Sequence, residues 1–168
     1  RDWSSDVCSS DLRCAAHGEQ RPGQRPPEQL EQGGWEVRCS VCGAPMEALW
    51  TNESQPNPHN SYGISKRDQE DIATRLGRRY GIPSAAMRYS IVQGPRQSFR
   101  NAYSGALRSF AVRVLTGQPP VLYEDGQQIR DYVSIHDVVR ANLLALSDPR
   151  ADYQVFNVGS GRKVTVLE

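Results

Sequence analysis

The chain has 168 residues, 38% of them hydrophobic, which is enough for one ordinary core, either as a single domain or as part of a larger one. Its 20 basic and 19 acidic residues leave a net charge of +1, which excludes the strong overall field that attracts nucleic acid or an anionic membrane. No apolar run approaches the roughly 20 residues that span a bilayer, and no segment has the pattern of a signal peptide, so we expect a cytoplasmic protein without nucleic-acid or membrane partners.

The first residues of the chain, RDWSSDVCSSDL, have no apolar periodicity and match the translation of a common sequencing adapter. We therefore interpret 1–12 as an artefact and assign no chemistry to Cys8, with a genuine Ser/Asp-rich tail as the alternative. The chain starts at Arg1 rather than Met and stops in the apolar run 164–167. Both features lead us to expect a fragment that is truncated at both ends.

The segment after residue 12 is rich in Pro, Gly, Gln and Glu, a composition too polar for a conventional core. It contains two pairs of metal-ligand residues, Cys14 with His17 and Cys39 with Cys42, each pair with two residues between its members. The pairs are separated by 21 residues, close to the spacing of a zinc ribbon, and three thiolates with one imidazole complete a tetrahedral structural site. We therefore predict a zinc-ribbon-like segment over 13–50. Three reduced cysteines and an unrelated histidine are the alternative.

After residue 58 the sequence alternates between helical and strand patterns. The predicted elements, in order, are a helix over 60–80, a buried strand over 84–92, a helix over 103–116, strands over 121–123 and 129–135, a helix over 138–146 and a strand over 155–158. Gly81 stands where a C-cap would end the first helix, and Gly94 ends the first strand. The alternation predicts an α/β domain with some parallel strand pairing.

Tyr62 and Lys66 lie four residues apart in the first predicted helix, so both side chains project from one face. An ordinary tyrosine is protonated at neutral pH, but a neighbouring cation stabilises the phenolate relative to the phenol. Such a tyrosine can accept a proton from a sugar hydroxyl while a nicotinamide cofactor accepts hydride from the same carbon. The spacing alone is a weak signal, and an ordinary helix with a partly buried tyrosine and a solvated lysine is the alternative.

Longer motifs surround this pair in a fixed order. They are YGISK at 62–66, RYSIVQGP at 88–95, YEDGQQIRDYV at 123–133 and NVG at 157–159. Together, over about 50–168, they resemble the extended short-chain dehydrogenase/reductase family of NAD-dependent nucleotide-sugar epimerases and dehydratases. The resemblance implies a Rossmann-like NAD(P)-binding fold with an appended substrate-binding subdomain, of which this α/β chain holds an incomplete, C-terminal part.

The resemblance also implies roles for individual residues. Tyr62 corresponds to the general acid/base, and Lys66 to the residue that holds the nicotinamide ribose and stabilises the tyrosinate. Arg130 corresponds to the arginine that grips the nucleotide diphosphate with its planar guanidinium, although a surface arginine paired with Asp131 is the alternative.

Further binding residues follow from the same resemblance. We expect Tyr89 and Val92 to contact the cofactor, and Asn101, Tyr103 and Tyr123 to line the sugar-nucleotide pocket. Asn101 could equally cap the helix that follows it.

The chain departs from the family pattern in two places. Many members carry Phe-Asn where this chain has Ser90 and Ile91, and the isoleucine cannot make the hydrogen bond of that asparagine to substrate, which puts the sugar in doubt. The chain also contains no glycine-rich turn of the Gly-x-x-Gly-x-x-Gly type and no Ser/Thr from a strand before Tyr62. Because such a turn places a helix N-terminus at the pyrophosphate, we expect NAD to be bound mainly by a missing N-terminal half, and this fragment to be inactive alone.

The sequence thus predicts part of an NAD-dependent nucleotide-sugar epimerase with a structural zinc, a nucleoside-diphosphate sugar as substrate and a homodimeric assembly. Two alternatives remain open. One is a nucleotide-sugar dehydratase, and the other is a non-catalytic zinc-ribbon binding module on a catalytically dead scaffold.

Overall fold

In the computed structural model of the protein, the described residues are 11–21, 23–54, 56–58, 60–98 and 105–168. The predicted substrate-binding residues Asn101 and Tyr103 lie outside them. The described chain divides into two compact units, one formed by the residues up to Arg88 with Pro149–Phe156, and the other by Tyr89–Asp148 with Asn157–Glu168. No helix among the described residues is long and apolar enough to cross a membrane.

The helices and strands are short and mixed. The helices are α1 (Pro27–Glu31), α2 (Ser61–Asp71), a π-helical turn (Ile72–Leu76), α3 (Gly77–Tyr80), α4 (Ala106–Leu115), α5 (Ile135–Ser147) and a 3₁₀ turn (Pro149–Ala151). The strands are β1 (Leu12–Cys14), β2 (Gly18–Gln20), β3 (Glu47–Ala48), β4 (Ala86–Tyr89), β5 (Ile91–Gln93), β6 (Ile129–Arg130), β7 (Tyr132–Ser134), β8 (Val155–Val158) and β9 (Val164–Thr165).

Residues 11–50, which we call the ribbon, form a three-stranded antiparallel sheet in the order β2-β1-β3. Its small hydrophobic core contains Leu12, Cys14, Cys39 and Met46, with Val37 and Ala48 packed against them. Leu12 is buried in β1, so the ordered ribbon begins before residue 13, where the sequence pattern placed its start. The predicted domain boundaries themselves stay a prediction.

The helix predicted over 60–80 is present, but it changes its winding along its length. Asn60 caps α2, because its Oδ1 accepts the backbone N–H of Gly63 at 2.7 Å. After Asp71 the helix widens into the π-helical turn and then resumes as α3. It ends at Gly81 in the left-handed conformation (φ 66°), as the C-cap prediction required.

A buried ion pair fixes α2 against β4. Arg88 grips the Glu70 carboxylate with two atoms, Nε to Oε2 at 2.7 Å and Nη2 to Oε1 at 2.8 Å. The two side chains are 9% and 6% exposed, and Arg67 adds a third contact to Glu70 Oε1 at 2.6 Å. Because bidentate arginine–carboxylate contacts are directional, this pair sets how the helix that carries Tyr62 lies on the strand.

The second unit contains the parallel pairing that the alternating pattern predicted. Strand β5 pairs in parallel with β7, with Val92 opposite Val133. Val133 is almost fully buried, and α5 follows β7 directly. A Cβ at Gly94 would overlap the Ile135 side chain, so the glycine allows the end of β5 to approach the start of α5.

Three predicted elements differ from the structure. Residues 121–123 form no strand; they are exposed and pair with no other described strand, and Pro119 and Pro120 before them offer no N–H to a ladder. The strand predicted over 84–92 is two strands interrupted at Ser90. The strand predicted over 129–135 is also two, interrupted at Asp131. Its second part ends at Ser134, whose Oγ accepts the backbone N–H of His136 and so starts α5 three residues earlier than predicted.

Candidate functional site

The four predicted metal ligands converge in the ribbon. The Sγ atoms of Cys14, Cys39 and Cys42 and a ring nitrogen of His17 all lie within 4.8 Å of one another. Cys14 Sγ is 3.6 Å from His17 Nδ1 and 3.7 Å from Cys42 Sγ, and Cys39 Sγ is 3.6 Å from His17 Nδ1. All three cysteines are free thiols. The structure therefore places both sequence pairs at one point.

Two tight turns position these side chains. Cys14 ends β1, and His17 lies in the turn that leads to β2. The Cys39 turn is closed by two backbone hydrogen bonds, from Cys39 N–H to the Ala44 carbonyl (2.8 Å) and from Gly43 N–H to the Cys39 carbonyl (2.9 Å). Gly43 has a φ of 70°, a conformation that favours glycine, so the sequence supplies the residue this turn requires.

The electrostatics of this cluster favour thiolates at two positions. The contact with His17 lowers the pKa of Cys14, and the same contact raises the pKa of His17. Burial acts to raise the pKa of Cys39, but backbone N–H groups of Cys42 and Val41 outweigh it and lower the pKa to about 6. Because the thiolate is the form that binds metals, both buried cysteines are prepared for ligation.

Cys42 behaves differently from the other two cysteines. A backbone hydrogen bond involving Ala44 acts to lower its pKa, but burial and the neighbouring sulfurs of Cys39 and Cys14 outweigh this contact, so the pKa is raised. Three sulfurs this close repel one another once they are charged, which a bound cation would relieve.

Tyr62 and Lys66 share one face of α2, as their spacing predicted. Lys66 Nζ lies 5.5 Å from the centroid of the Tyr62 ring and donates to Gln69 Oε1 at 3.2 Å. The Tyr62 side chain is 53% exposed, so its phenol is accessible to a ligand. Ser65 Oγ donates to the Tyr62 carbonyl rather than to its hydroxyl. The pair therefore presents a phenol beside a cation at an accessible surface.

The predicted cofactor-binding residues of the second unit lie on β4 and β5. Val92 is the central residue of β5. The Tyr89 hydroxyl donates to Asn142 Oδ1 on α5 at 2.9 Å, and Asn142 in turn donates to the Val138 carbonyl. This hydrogen bond joins Tyr89 to α5 within the second unit. Its contact with a cofactor stays a prediction.

The two described substrate-binding candidates also lie in the second unit. Arg130 is in β6, where its Nη1 donates to the Ile129 carbonyl at 3.0 Å. It makes no ion pair with any described residue, so the alternative pairing with Asp131 is not found there. Tyr123 is 80% exposed, and its carbonyl accepts Gln128 Nε2. Arg130 is half-buried, and the roles of both residues in substrate binding stay predictions.

The sequence patterns missed a polar cluster around Asp131. Its carboxylate accepts the Ser160 N–H at 2.8 Å, the Ser160 hydroxyl at 2.6 Å and the Ser90 hydroxyl at 3.3 Å. A Cβ at Gly159 would overlap the same carboxylate. Ser90, Asp131 and Gly159 lie inside the motifs at 88–95, 123–133 and 157–159, and Ser160 directly follows the last of them, so the motif positions were the available signal.

A second missed residue is Gln93, the last residue of β5. Its Nε2 atom is buried and has no hydrogen-bond partner among the described residues. The carboxyl end of a parallel strand is where ligands bind in open α/β sheets. Gln93 therefore belongs with the candidate binding residues of the second unit.

Comparisons with known proteins show the family of this chain. A model of the NAD dependent epimerase/dehydratase family matches residues 39–159. A putative UDP-glucose 4-epimerase of Methanocaldococcus jannaschii is 37% identical over 130 residues, covering 77% of this chain and 41% of that protein. A dTDP-L-rhamnose 4-epimerase of Burkholderia thailandensis is 32% identical over 147 residues, covering 88% of this chain and 39% of that protein.

A solved structure shows the same fold. The UDP-glucose 4-epimerase of Thermotoga maritima, determined with UDP-glucose, is 41% identical and superimposes with a TM-score of 0.62 over 67% of this chain and 35% of its own. The chain thus spans 41% and 39% of the two curated relatives. These matches confirm the predicted α/β, Rossmann-like fold class. The chain belongs to the NAD dependent epimerase/dehydratase family, the group of extended short-chain dehydrogenases/reductases that its motifs resemble.

Proposed function

We propose that the full-length protein is an NAD-dependent nucleotide-sugar epimerase in which Tyr62 transfers the proton. The observation that carries this proposal is the accessible Tyr62 ring with the Lys66 ammonium 5.5 Å from its centroid, on one face of α2. The relatives support the class, since the three described above are named as 4-epimerases of nucleotide sugars. Their shared position suggests carbon 4 of the sugar as the reacting centre.

The residues of this chain fit one side of an NAD site. Lys66 is half-buried and lies beside the exposed Tyr62 phenol, so its ammonium can donate to ribose hydroxyls and stabilise negative charge on the Tyr62 oxygen. The chain contains no glycine-rich turn for the pyrophosphate, so we assign most of the cofactor binding to sequence beyond this chain. When bound, NAD supplies a reversible acceptor for the hydride.

The reaction then needs two proton transfers, one to Tyr62 and one back from it. Tyr62, as the phenolate, accepts the proton of the sugar hydroxyl while the hydrogen on the same carbon leaves as hydride, which converts the carbinol to a ketone. After the ketone has turned its other face, hydride returns and Tyr62 gives the proton back to the oxygen. In this proposal the positive charge of Lys66, whose Nζ lies 5.5 Å from the Tyr62 ring centroid, offsets the negative charge on the Tyr62 oxygen during the reaction.

Other residues would bind the parts of the substrate that lie away from the reacting carbon. We assign the diphosphate to Arg130, because a planar guanidinium can donate two hydrogen bonds to phosphate oxygens at once. Tyr123, Asn101 and Tyr103 complete the proposed sugar-nucleotide pocket. A homodimeric assembly, which the resemblance implies, stays a prediction.

Tyr62→Phe in the full-length protein tests the proposal. Removing the hydroxyl removes the proton acceptor but leaves the ring, so kcat should fall by about 10²–10⁴-fold while bound NAD stays unchanged. Turnover is measured by NMR on a panel of UDP- and dTDP-sugars, and bound NAD by absorbance after denaturation. Tyr80→Phe is the matched control, because Tyr80 is also exposed on the same helical stretch, and it should keep wild-type turnover.

The same panel separates the alternatives. An epimer as product supports the proposal, and a 4-keto-6-deoxy sugar would instead identify a dehydratase. A folded wild-type protein that turns over no sugar of the panel would favour the scaffold alternative. A Tyr62→Phe variant with wild-type kcat would contradict the proton-transfer role.

A further inference from the structure

We propose that Cys14, His17, Cys39 and Cys42 bind one Zn²⁺ in a closed, tetrahedral and purely structural site that holds the ribbon together. The inference is independent of the epimerase chemistry, because it rests on the geometry and composition of residues 11–50 alone.

The distances between the ligand atoms agree with those around a zinc ion. Zn–S bonds of about 2.3 Å and Zn–N bonds of about 2.05 Å in a tetrahedron place two sulfurs about 3.8 Å apart, and a sulfur and a nitrogen about 3.5 Å apart. Cys14 and Cys42 have a Sγ–Sγ distance of 3.7 Å. His17 Nδ1 lies 3.6 Å from Sγ of both Cys14 and Cys39. Three of the six separations therefore match a tetrahedral zinc site, and all four ligand atoms lie within 4.8 Å of one another.

The surroundings of Cys39 also suit a metal thiolate. The Val41 N–H points at Cys39 Sγ at 3.4 Å, and a backbone N–H directed at a sulfur stabilises its negative charge. Hydrogen bonds around a ligand orient it and tune its affinity. The tight turn at Gly43 brings Cys42 back toward the same point.

Other uses of these cysteines fit less well. A disulfide needs sulfurs about 2.05 Å apart, far closer than the 3.7 Å between Cys14 and Cys42. A nucleophilic or redox-active cysteine must be reached by its substrate, but Cys14 and Cys39 are only 2% and 3% exposed; Cys42 is exposed, and its Sγ lies 3.7 Å from Cys14 Sγ within the same cluster. With four protein ligands, no position is left for a water molecule or a substrate, so the ion would be structural.

The ribbon needs such a cross-link. Its hydrophobic core consists of two cysteines with Leu12 and Met46, and its strands are two or three residues long. A core of this size does not offset the conformational entropy of some forty residues. Structural zinc supplies that free energy directly, because the assembled site exists only in the folded state.

The test begins with metal content. Full-length protein, purified under reducing conditions, should contain one more zinc per chain, by plasma mass spectrometry, than its Cys39→Ser and His17→Ala variants. His136→Ala is the matched control and should keep the wild-type content, because His136 does not belong to the proposed ligand set. Equal zinc in wild type and ligand variants, or a Cys14–Cys42 disulfide in non-reducing peptide mapping, would overturn the proposal.

Cobalt replacement keeps the proposal falsifiable even if the ligand variants do not fold. Wild-type protein refilled with Co²⁺ should show the intense visible bands of tetrahedral cobalt and thiolate-to-cobalt charge transfer. Adding UDP or inorganic phosphate should leave these bands unchanged, since no coordination position is open. A weak octahedral spectrum would overturn the ligand set, and a shift on adding either anion would overturn the closed site.

Hydrogen exchange then tests the structural role. Removal of zinc from wild-type protein with a chelator should abolish amide protection in 11–50 and leave the protection of β5 and β7 in place. Unchanged protection of the ribbon after complete removal of the metal would show that the ion does not hold this segment together.

Discussion

The ribbon buries two of its four predicted metal ligands, whereas α2 exposes its tyrosine. Cys14 and Cys39 are almost fully buried while His17 and Cys42 are exposed, and Tyr62 is 53% exposed with the Lys66 ammonium 5.5 Å from its ring centroid. Both clusters were recognisable from residue types at short spacing. The difference in burial agrees with the two different roles proposed for them.

This difference in exposure follows from what each proposed site requires of its surroundings. A structural metal site is stable when every coordination position is filled by the protein, so burial is part of its design. A proton-transferring tyrosine has to reach its substrate, so it stays accessible until a ligand covers it. Exposure of Tyr62 is therefore expected of a working residue, whereas exposure of Cys39 would argue against a metal site.

The largest expected effect is on the stability of the protein, and it concerns the ion pair that holds α2 rather than the metal cluster or the Tyr62/Lys66 pair. Glu70→Gln leaves Arg88 buried without its counter-charge, which should lower the free energy of unfolding by about 3–5 kcal/mol. Urea unfolding measures this change. Glu19→Gln breaks the exposed pair with Arg13 and should cost about 0–1 kcal/mol. If both variants were equally stable, the ion pair would not hold α2 on β4.

Substitution of Lys66 tests whether Tyr62 and Lys66 act together. Lys66→Ala in the full-length protein should lower kcat by about 10²-fold and weaken NAD retention, because the cation that stabilises the phenolate is lost. Lys163→Ala removes the other lysine of the chain and should leave turnover unchanged. Lys66→Ala combined with Tyr62→Phe should cost little more than Tyr62→Phe alone, and full additivity would contradict the coupling.

A smaller effect is expected in the turn that shapes the metal site. Gly43→Ala forces an L-residue to a φ of 70°, at a cost of about 1–2 kcal/mol, which corresponds to roughly tenfold weaker zinc binding. Competition with a chromophoric chelator measures the affinity. Gly23→Ala is the control, because a Cβ there meets no atom within 4 Å and its φ is not positive, and it should bind zinc normally. Equal affinities would show that the turn does not limit ligand placement.

Elements that depend on residues close in sequence could be predicted, whereas elements that depend on a distant partner could not. The helix over 60–80 was recognisable because its apolar spacing and its terminating Gly81 are local features, whereas its π-helical turn leaves no mark in that spacing. Residues 121–123 carry a strand-like pattern, yet they form no strand because a strand exists only when a neighbour supplies hydrogen bonds.

The candidate sites follow the same division. Sequence by itself determined the Tyr62 and Lys66 face and the two ligand pairs of the ribbon, because spacing within one turn fixes which side chains are neighbours. Only the tertiary structure decided that the two ligand pairs meet within 4.8 Å and that Glu70 is buried against Arg88. Those contacts join residues that are far apart in sequence, and the path of the chain between them, set by turns and packing, is what brings them together.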